Sequence, residues 1–176
     1  MPGTTHRVLS VHARAYVQAP IATVFAAVRD PQVGRDPVDS QGFRVEAYDT
    51  EPTYAWSYRT FVHVQNVITL DWNVAWRHGV VSGTAAAPTL TATRWQKIAG
   101  TTAIPTLEGS LVLQPVAGHP EVTEVQYQYH LDAPLSSYNS LEIYLDAVYA
   151  RLLARSHARA LDPNDCTDCA TPPQGY

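Results

Sequence analysis

Seven aromatic side chains recur at alternate positions of three predicted strands and on one face of a predicted helix. Strand residues two apart point to the same face, so these rings are predicted to share one surface. A ring supplies apolar area while a hydroxyl or indole N–H can orient a ligand's polar group. The pattern predicts an aromatic-lined ligand site, and the alternative is a solid core. The set is Trp56, Tyr58, Trp72, Trp76, Tyr127, Tyr129 and, on the helix, Tyr144.

His78 is the one titratable residue in the apolar phase of its strand, beside Trp76. A neutral imidazole at that place could act as a general base, and we include His78 among the candidate ligand-binding residues. The simpler interpretation is a hydrogen-bonded core residue, so we assign no catalytic residue. The order of residues does not decide whether Arg94 or Trp95 points inward. Glu108 is predicted to be either an exposed charge or a group at the mouth of a cavity.

The sequence lacks the motifs of several enzyme classes. It contains no nucleophile elbow, glycine-rich phosphate loop or dense set of metal ligands, so we predict neither a metal nor a cofactor. Cys166 and Cys169 form a Cys-x-x-Cys pair in the C-terminal tail. Such a pair can be a redox couple, half of a zinc site with His157, or a local disulfide. The βαβ setting of the redox fold is absent, which favours a non-catalytic tail pair.

Composition limits the classes of partner. The 176 residues carry a net charge of -4 with a pI of about 5.9, which argues against a phosphate-binding footprint and therefore against nucleic acid. No apolar run reaches the length of about 18 residues that crosses a bilayer. Residues 1–7 lack the apolar segment of a signal peptide. We expect a cytoplasmic protein, although a removed leader would leave no trace.

Periodicity predicts a strand, a helix and then a long block of strands. Val8–Gln18 alternates apolar and polar residues, and Pro20 suits the first turn of a helix that ends at Asp30-Pro31. Residues 31–42 are either a second short helix or an irregular link. The later strands are predicted over Phe43–Tyr48, Trp56–Gln65, Ile68–Val80, Thr89–Ile98, Thr106–Pro115 and Thr123–Leu131.

One amphipathic helix closes the predicted domain, from about Ser140 to Leu161. Asn139 and Glu142 have the spacing of a capping box, and Ser136 or Ser137 offers an earlier start. An apolar stripe is predicted to dock the helix, while charged residues project elsewhere. The stripe is Leu141, Tyr144, Leu145, Val148 and Leu152, and the charged set is Glu142, Asp146, Arg151 and Arg155. We predict one domain over residues 1–161 and a flexible tail over residues 162–176.

Two segments carry a resemblance to a known superfamily. Val11–Pro31 (VHARAYVQAPIATVFAAVRDP) resembles its opening strand, Ala-Pro helix start and terminal Asp-Pro, and Glu108–Pro134 (EGSLVLQPVAGHPEVTEVQYQYHLDAP) is similar to its Gly-Ser strand, apolar-x-Pro turn and last strand. The superfamily is that of START domains, pollen allergens and polyketide cyclases, also called SRPBCC. The resemblance implies an α+β helix-grip fold. In that fold a curved antiparallel sheet of six or seven strands wraps a long C-terminal helix, with one or two short helices after the first strand.

The resemblance also implies a cavity between sheet and helix that holds lipids, sterols or polyketides. We therefore expect this protein to bind or carry a small apolar or amphipathic molecule, with transient membrane contact for ligand exchange. A polyketide cyclase or dehydratase that uses a cavity histidine or tyrosine, such as His78 or Tyr127, is the alternative. A protein-interaction module with a filled core is a third class. Fold alone does not decide among them, and the oligomeric state stays open.

Overall fold

The computed structural model describes residues 7–35, 42–48, 53–65, 69–133, 136–159 and 161. The predicted tail, residues 162–176 with Cys166 and Cys169, lies outside the described residues, as does the predicted turn at Asn66. The described elements are seven strands and two helices: β1 Leu9–Val17, α1 Ile21–Val28, β2 Gly42–Ala47, β3 Trp56–Gln65, β4 Thr69–Gly83, β5 Pro88–Gly100, β6 Thr106–Val116, β7 His119–Asp132 and α2 Tyr138–Ser156.

The strands form one antiparallel sheet in the order β1-β7-β6-β5-β4-β3-β2. Each strand from β2 to β7 pairs with its neighbour in sequence, and β1 pairs with β7 from Leu9↔Leu131 to Val17↔Thr123. The two helices cover one face of this sheet, where the apolar core lies. The predicted α+β helix-grip architecture is confirmed, with seven strands and, among the described residues, one short helix after the first strand.

The turn between β6 and β7 is shorter than predicted. We expected residues 117–120 to be a connection, but β7 already begins at His119, which pairs with Val116. Gly118 has a φ of +78°, in the left-handed region that glycine enters without steric cost. Two residues therefore reverse the chain, and His119 and Pro120 become part of the strand.

The register settles which of Arg94 and Trp95 faces the core. Trp95 pairs with Trp76, and residues directly opposite one another in a sheet share a face. Trp95 is accordingly buried, whereas Arg94 is exposed on the other face. Glu108 lies on that outer face too, within 3.6 Å of His130. It is not at a sheet edge, because β6 has a partner strand on both sides.

The start of α2 differs from the Asn139–Glu142 capping box. Ser137 is the N-cap, and its Oγ accepts a hydrogen bond from the backbone N–H of Ser140 at 3.1 Å. The Oγ of Ser140 accepts in return from the backbone N–H of Ser137 at 2.9 Å. This reciprocal pair satisfies two donors that would otherwise be unpaired, so the helix begins at Tyr138. The Asn139 prediction is wrong, and the earlier start at Ser137 is confirmed.

The end of α2 also comes earlier than the predicted Leu161. The helix stops at Ser156, and Ala158 adopts a φ of +53°. This left-handed residue turns the chain, and the N–H of Arg159 donates to the carbonyl of Ala154 at 2.8 Å. The reversal brings Leu161 back onto Ala154, where Leu161 is buried.

Arg151 and Arg155 project away from the apolar stripe of α2, and both are buried. Arg151 is only 1% exposed, and its guanidinium donates to the carbonyls of Val33 and Arg35. The Nε of Arg155 lies 2.6 Å from the carboxylate of Asp30. Both are buried because α2 packs against the chain that follows α1 as well as against the sheet. A helical wheel shows one apolar face and cannot show that second partner.

The cap assignment can be tested by comparing two alanine variants of neighbouring residues. Ser137→Ala removes the side-chain acceptor at the N-cap, so we expect the free energy of unfolding to fall by about 1 kcal/mol. Asn139→Ala, already inside the helix, should not destabilise the protein. Urea denaturation followed by circular dichroism measures both values. A larger loss for Asn139→Ala than for Ser137→Ala would contradict the assignment.

Candidate ligand-binding cavity

A cavity of about 300 Å³ lies between the concave face of the sheet and the N-terminal half of α2. Side chains of β3 and β4, including Thr60, Val62 and Trp72, form one wall. Leu107 and Leu131, from β6 and β7, line the opposite side. Residues 31–35 and the first turns of α2 cover it. The volume is at the lower end of the range of about 300–1,000 Å³ that is usual for small-molecule sites.

Four of the predicted site residues line this cavity. Trp72 and Trp76 reach it from β4, Tyr129 from β7 and Tyr144 from α2. The other four also point to the concave side, but they do not line it. Trp56 packs edge-to-face on Phe25 of α1 with ring centroids 5.7 Å apart, and Tyr127 borders a separate void of about 50 Å³ under α2. Tyr58 and His78 are buried beyond the end of the cavity.

A continuous row of stacked or tilted rings crosses the concave face. Tyr58 stacks on Trp76 at 6.0 Å between centroids, and Trp76 stacks on Trp95 at 5.3 Å. The row continues from Trp95 to Tyr129 at 6.0 Å and from Tyr129 to Tyr144 at 5.5 Å. These separations lie in the favourable range for aromatic pairs. The rings support one another, so they form a stiff wall.

Hydrogen bonds hold the aromatic wall and the covering chain in fixed positions relative to each other. The indole N–H of Trp76 donates to Oγ1 of Thr60 at 3.0 Å, and the Tyr144 hydroxyl donates to the carbonyl of Gly34 at 2.9 Å. A Cβ at position 34 would lie 2.8 Å from Cη2 of Trp76, closer than real Cβ contacts. Glycine thus lets residues 31–35 approach the indole. The Nζ of Lys97 donates to the carbonyls of Thr101 and Ile104, which holds Ile104 in the cavity wall.

His78 is fully buried and neutral. Its Nδ1 lies 3.0 Å from Oγ1 of Thr93, and Nε2 has no hydrogen-bond partner among the described residues. Burial, with a smaller contribution from the charge of Arg29, lowers the pKa of His78 to about 3. Burial also raises the pKa of Tyr127, and the nearby Tyr144 and Tyr129 add to that shift. Both groups therefore stay uncharged near pH 7, and neither lines the cavity.

The chain after α1 supplies cavity residues that the periodicity did not indicate. Arg35 is 2% exposed and lines the cavity, with its guanidinium carbon 4.8 Å from the ring centroid of Phe43. Gly34 and Phe43 line it as well. The sequence did not decide whether residues 31–42 form a short helix or an irregular link, so it could not predict which of their side chains face the cavity. The described residues 31–34 form turns.

Two arginines of α2 clamp this covering chain, which we call the α1–β2 cover (residues 30–35). Arg155 binds the carboxylate of Asp30, and the same carboxylate accepts the backbone N–H of Gln32 at 2.9 Å. Arg151 donates to the carbonyls of Val33 and Arg35. Buried backbone acceptors need such donors. The clamp therefore sets the distance between α2 and the α1–β2 cover.

Comparisons with solved structures agree on the architecture at low sequence identity. A START superfamily protein from Mycobacterium smegmatis is 13% identical, with a TM-score of 0.57, over 85% of this chain and 97% of its own. Zhui aromatase/cyclase from Streptomyces sp. R1128 is 11% identical, with a TM-score of 0.52, over 86% and 93%. Ara h 8.0201 is 9% identical, with a TM-score of 0.51, over 87% and 100%.

This chain has the helix-grip fold of the START superfamily. The resemblance drawn from Val11–Pro31 and Glu108–Pro134 is confirmed at the level of fold. No protein-family model matches the chain, and no curated protein sequence is significantly similar to it. In this START-like fold the space between sheet and α2 is where the cavity lies. Among the described residues no helix could span a membrane, and no cluster of three or more potential metal ligands occurs.

The buried imidazole predicts a pH-dependent stability. The unfolded pKa of about 6.5 exceeds the folded value of about 3, so the unfolded state binds the proton first as the pH falls. The contribution of His78 is complete above pH 6.5 and is lost progressively towards pH 3. Between pH 8 and pH 5 we expect the free energy of unfolding to fall by about 2 kcal/mol because of His78.

His78→Gln should remove this pH-dependent component, whereas His12→Gln, at an exposed position of β1, should retain it. Urea denaturation at both pH values measures the change in stability. The same change between pH 8 and pH 5 in the unmodified protein and in both variants would contradict the prediction.

The buried ion pair predicts a strong effect of removing one charge. Asp30→Asn keeps the side-chain acceptor for Gln32 but leaves Arg155 without its carboxylate, in a pair whose side chains are 7% and 8% exposed. We expect a loss of about 3 kcal/mol in the free energy of unfolding. Adding Arg155→Met should recover part of it. The matched control, Glu46→Gln, disrupts an exposed pair with Arg59 and should change stability little. Similar losses for both carboxylates, measured by urea denaturation, would exclude a special role for Asp30.

Proposed function

We propose that this protein binds a small, mainly apolar molecule in the cavity between the sheet and α2. The observation that carries the proposal is a partly open cavity of about 300 Å³ with a predominantly apolar lining between the sheet and α2. Natural cores leave few voids larger than a water molecule, because each void forfeits dispersion contacts. A space of this size is therefore better explained by a ligand than by packing.

The walls favour a flat molecule over a bulky one. Trp72, Trp76, Trp95, Tyr129 and Tyr144 present aromatic surfaces to the cavity. Offset stacking between such rings and a planar ligand adds to the gain from apolar burial. The predicted ligand-binding roles of Trp72, Trp76, Tyr129 and Tyr144 are part of this proposal. Tyr58 and Tyr127 contact the wall rings Trp76 and Trp95 on the same face of the sheet, whereas Trp56 packs on Phe25 of α1 and His78 on Tyr58.

A cyclase-type or dehydratase-type reaction remains the alternative function, since Zhui aromatase/cyclase shares the fold. Such a reaction needs a group that can take or give a proton to the bound molecule. Among the described residues that line the cavity there is no histidine, carboxylate, lysine or cysteine. Two tyrosines, Tyr129 and Tyr144, do line it, and the Tyr144 hydroxyl donates to the carbonyl of Gly34. The two candidates named from the sequence, His78 and Tyr127, do not line it. This favours binding or carrying over catalysis.

Filling the cavity is the direct test. Val64→Trp places an indole in the lining, whereas Val81→Trp makes the same change at a position that is 61% exposed near the end of β4. We expect Val64→Trp to weaken binding of prodan, a neutral naphthalene fluorophore, by about tenfold or more, and Val81→Trp to leave it unchanged. Fluorescence titration measures the affinities, and native mass spectrometry of purified protein looks for a retained small molecule. If the unmodified protein does not bind prodan and retains no small molecule, the proposal is wrong.

A further inference from the structure

Thr60 places a hydroxyl group in the buried part of the cavity wall. Its side chain lines the cavity from the middle of β3 and is only 3% exposed. Its neighbours on the same face are apolar and buried, since Val62 follows two residues later and Val74 lies directly opposite on β4. A hydroxyl in such surroundings needs hydrogen-bond partners other than bulk water.

The Thr60 hydroxyl accepts a hydrogen bond within the protein. The indole N–H of Trp76 donates to its Oγ1 at 3.0 Å, and an indole nitrogen donates without accepting. This is the one hydrogen bond of the Thr60 side chain among the described residues. A hydroxyl also carries a proton that it can donate once. That proton therefore has no acceptor in the described part of the chain.

Other hydroxyl groups of the lining differ from Thr60 in this respect. Three of them donate their proton to a backbone carbonyl at 2.8 or 2.9 Å, namely those of Ser136, Ser140 and Tyr144. Their protons are used within the protein and shape the cavity. The Thr60 proton, in contrast, is available to a molecule bound in the cavity.

The position of the Thr60 hydroxyl is set before any ligand binds. The Trp76 ring that donates to it is itself stacked on Tyr58 and on Trp95, with centroids 6.0 and 5.3 Å apart. The backbone of β3 is held from both sides by pairing with β2 and β4. A preorganised group loses little conformational entropy on binding. The hydrogen bond from Trp76 also polarises the hydroxyl, which strengthens it as a donor.

Building on the proposed function, we infer that Thr60 selects the ligand by donating its hydroxyl proton to a carbonyl oxygen, and that the ligand is a planar aryl ketone. A carbonyl accepts hydrogen bonds and donates none, so it takes this proton and brings no further donor into an apolar wall. A pure hydrocarbon of the same shape would leave a buried hydroxyl without an acceptor. Because Trp76 is bonded to Thr60, a ring system that reaches this hydroxyl also lies beside the indole.

Two probes of nearly the same shape test the inference. Acetylnaphthalene carries a carbonyl oxygen where isopropenylnaphthalene, substituted at the same ring position, carries a methylene group. The ratio of their affinities is compared between the unmodified protein and Thr60→Val, so that the difference in hydrophobicity between the probes cancels. We expect Thr60→Val to lower the relative affinity for the ketone by about 3- to 10-fold, the range for one hydrogen bond. Equilibrium dialysis with absorbance detection measures both affinities.

A second background separates the hydroxyl from the indole. Thr60→Val also releases the N–H of Trp76, which then becomes a donor for the ketone. The comparison is therefore repeated in Trp76→Phe, where Thr60 supplies the proton without the indole. Adding Thr60→Val to Trp76→Phe should lower the relative affinity for the ketone by the same 3- to 10-fold, or about one hydrogen bond. An unchanged ratio in this background would overturn the inference.

Two further variants complete the test. Thr91→Val makes the same change at a buried position of β5 that does not line the cavity, so it should leave the ratio unchanged. Thr60→Ala also removes the hydroxyl and replaces Thr60→Val if the valine variant does not fold. Equal changes of the ratio in Thr60→Val and Thr91→Val would contradict a local contact.

The outcomes distinguish this inference from the proposed function. If both naphthalenes bind with a ratio that does not depend on Thr60, the apolar binding cavity stands and the role of Thr60 is rejected. If the unmodified protein binds neither naphthalene nor prodan, both proposals are rejected.

Discussion

The attachment of α2 to the α1–β2 cover is the contact on which the cavity depends. Arg155 holds the carboxylate of Asp30, and Arg151 holds the carbonyls of Val33 and Arg35, all of them with little access to water. A buried charge is tolerated only when hydrogen-bonded partners compensate for the lost hydration, so these groups keep one arrangement. That arrangement places Gly34 beside Trp76 and brings Arg35 to the cavity wall. Without it, α2 could close onto the sheet and fill the space with its own side chains.

On the other side of the cavity, the sheet provides a wall of aromatic rings that resists collapse into the cavity. Four ring contacts link Tyr58, Trp76, Trp95, Tyr129 and Tyr144 in sequence. Strand pairing fixes the positions of the first four rings, and α2 supplies the fifth. Planar rings of this size cannot repack to fill a gap as a flexible methionine can. A stiff aromatic wall facing a clamped cover leaves a defined volume between them.

His78 shows how a residue in the correct phase can still lie away from the site. It lies on the concave face, as alternation along β4 predicts, yet Phe25 and α1 occupy that end of the sheet and the cavity begins further along. Burial then keeps the imidazole neutral and excludes it from contact with a cavity ligand. Tyr127 is displaced in the same manner, because α2 lies over it. Alternation along a strand predicts which face of the sheet a side chain points to. It does not predict whether that side chain lies next to the cavity.

The amino-acid order by itself determined the strands and the inward phase of Trp72, Trp76, Tyr129 and Tyr144, because these depend on periods of two and 3.6 residues within single elements. The fold was implied by the resemblance of two segments, Val11–Pro31 and Glu108–Pro134, to the START superfamily. Only the tertiary structure decided that Arg151 and Arg155 are buried and that Arg35 enters the cavity. Each of these depends on which distant segment lies alongside: Arg151 meets Val33 across 118 positions of sequence. A pattern read along one element carries no information about that partner, and the partner determines whether an arginine is a solvated charge or part of a wall.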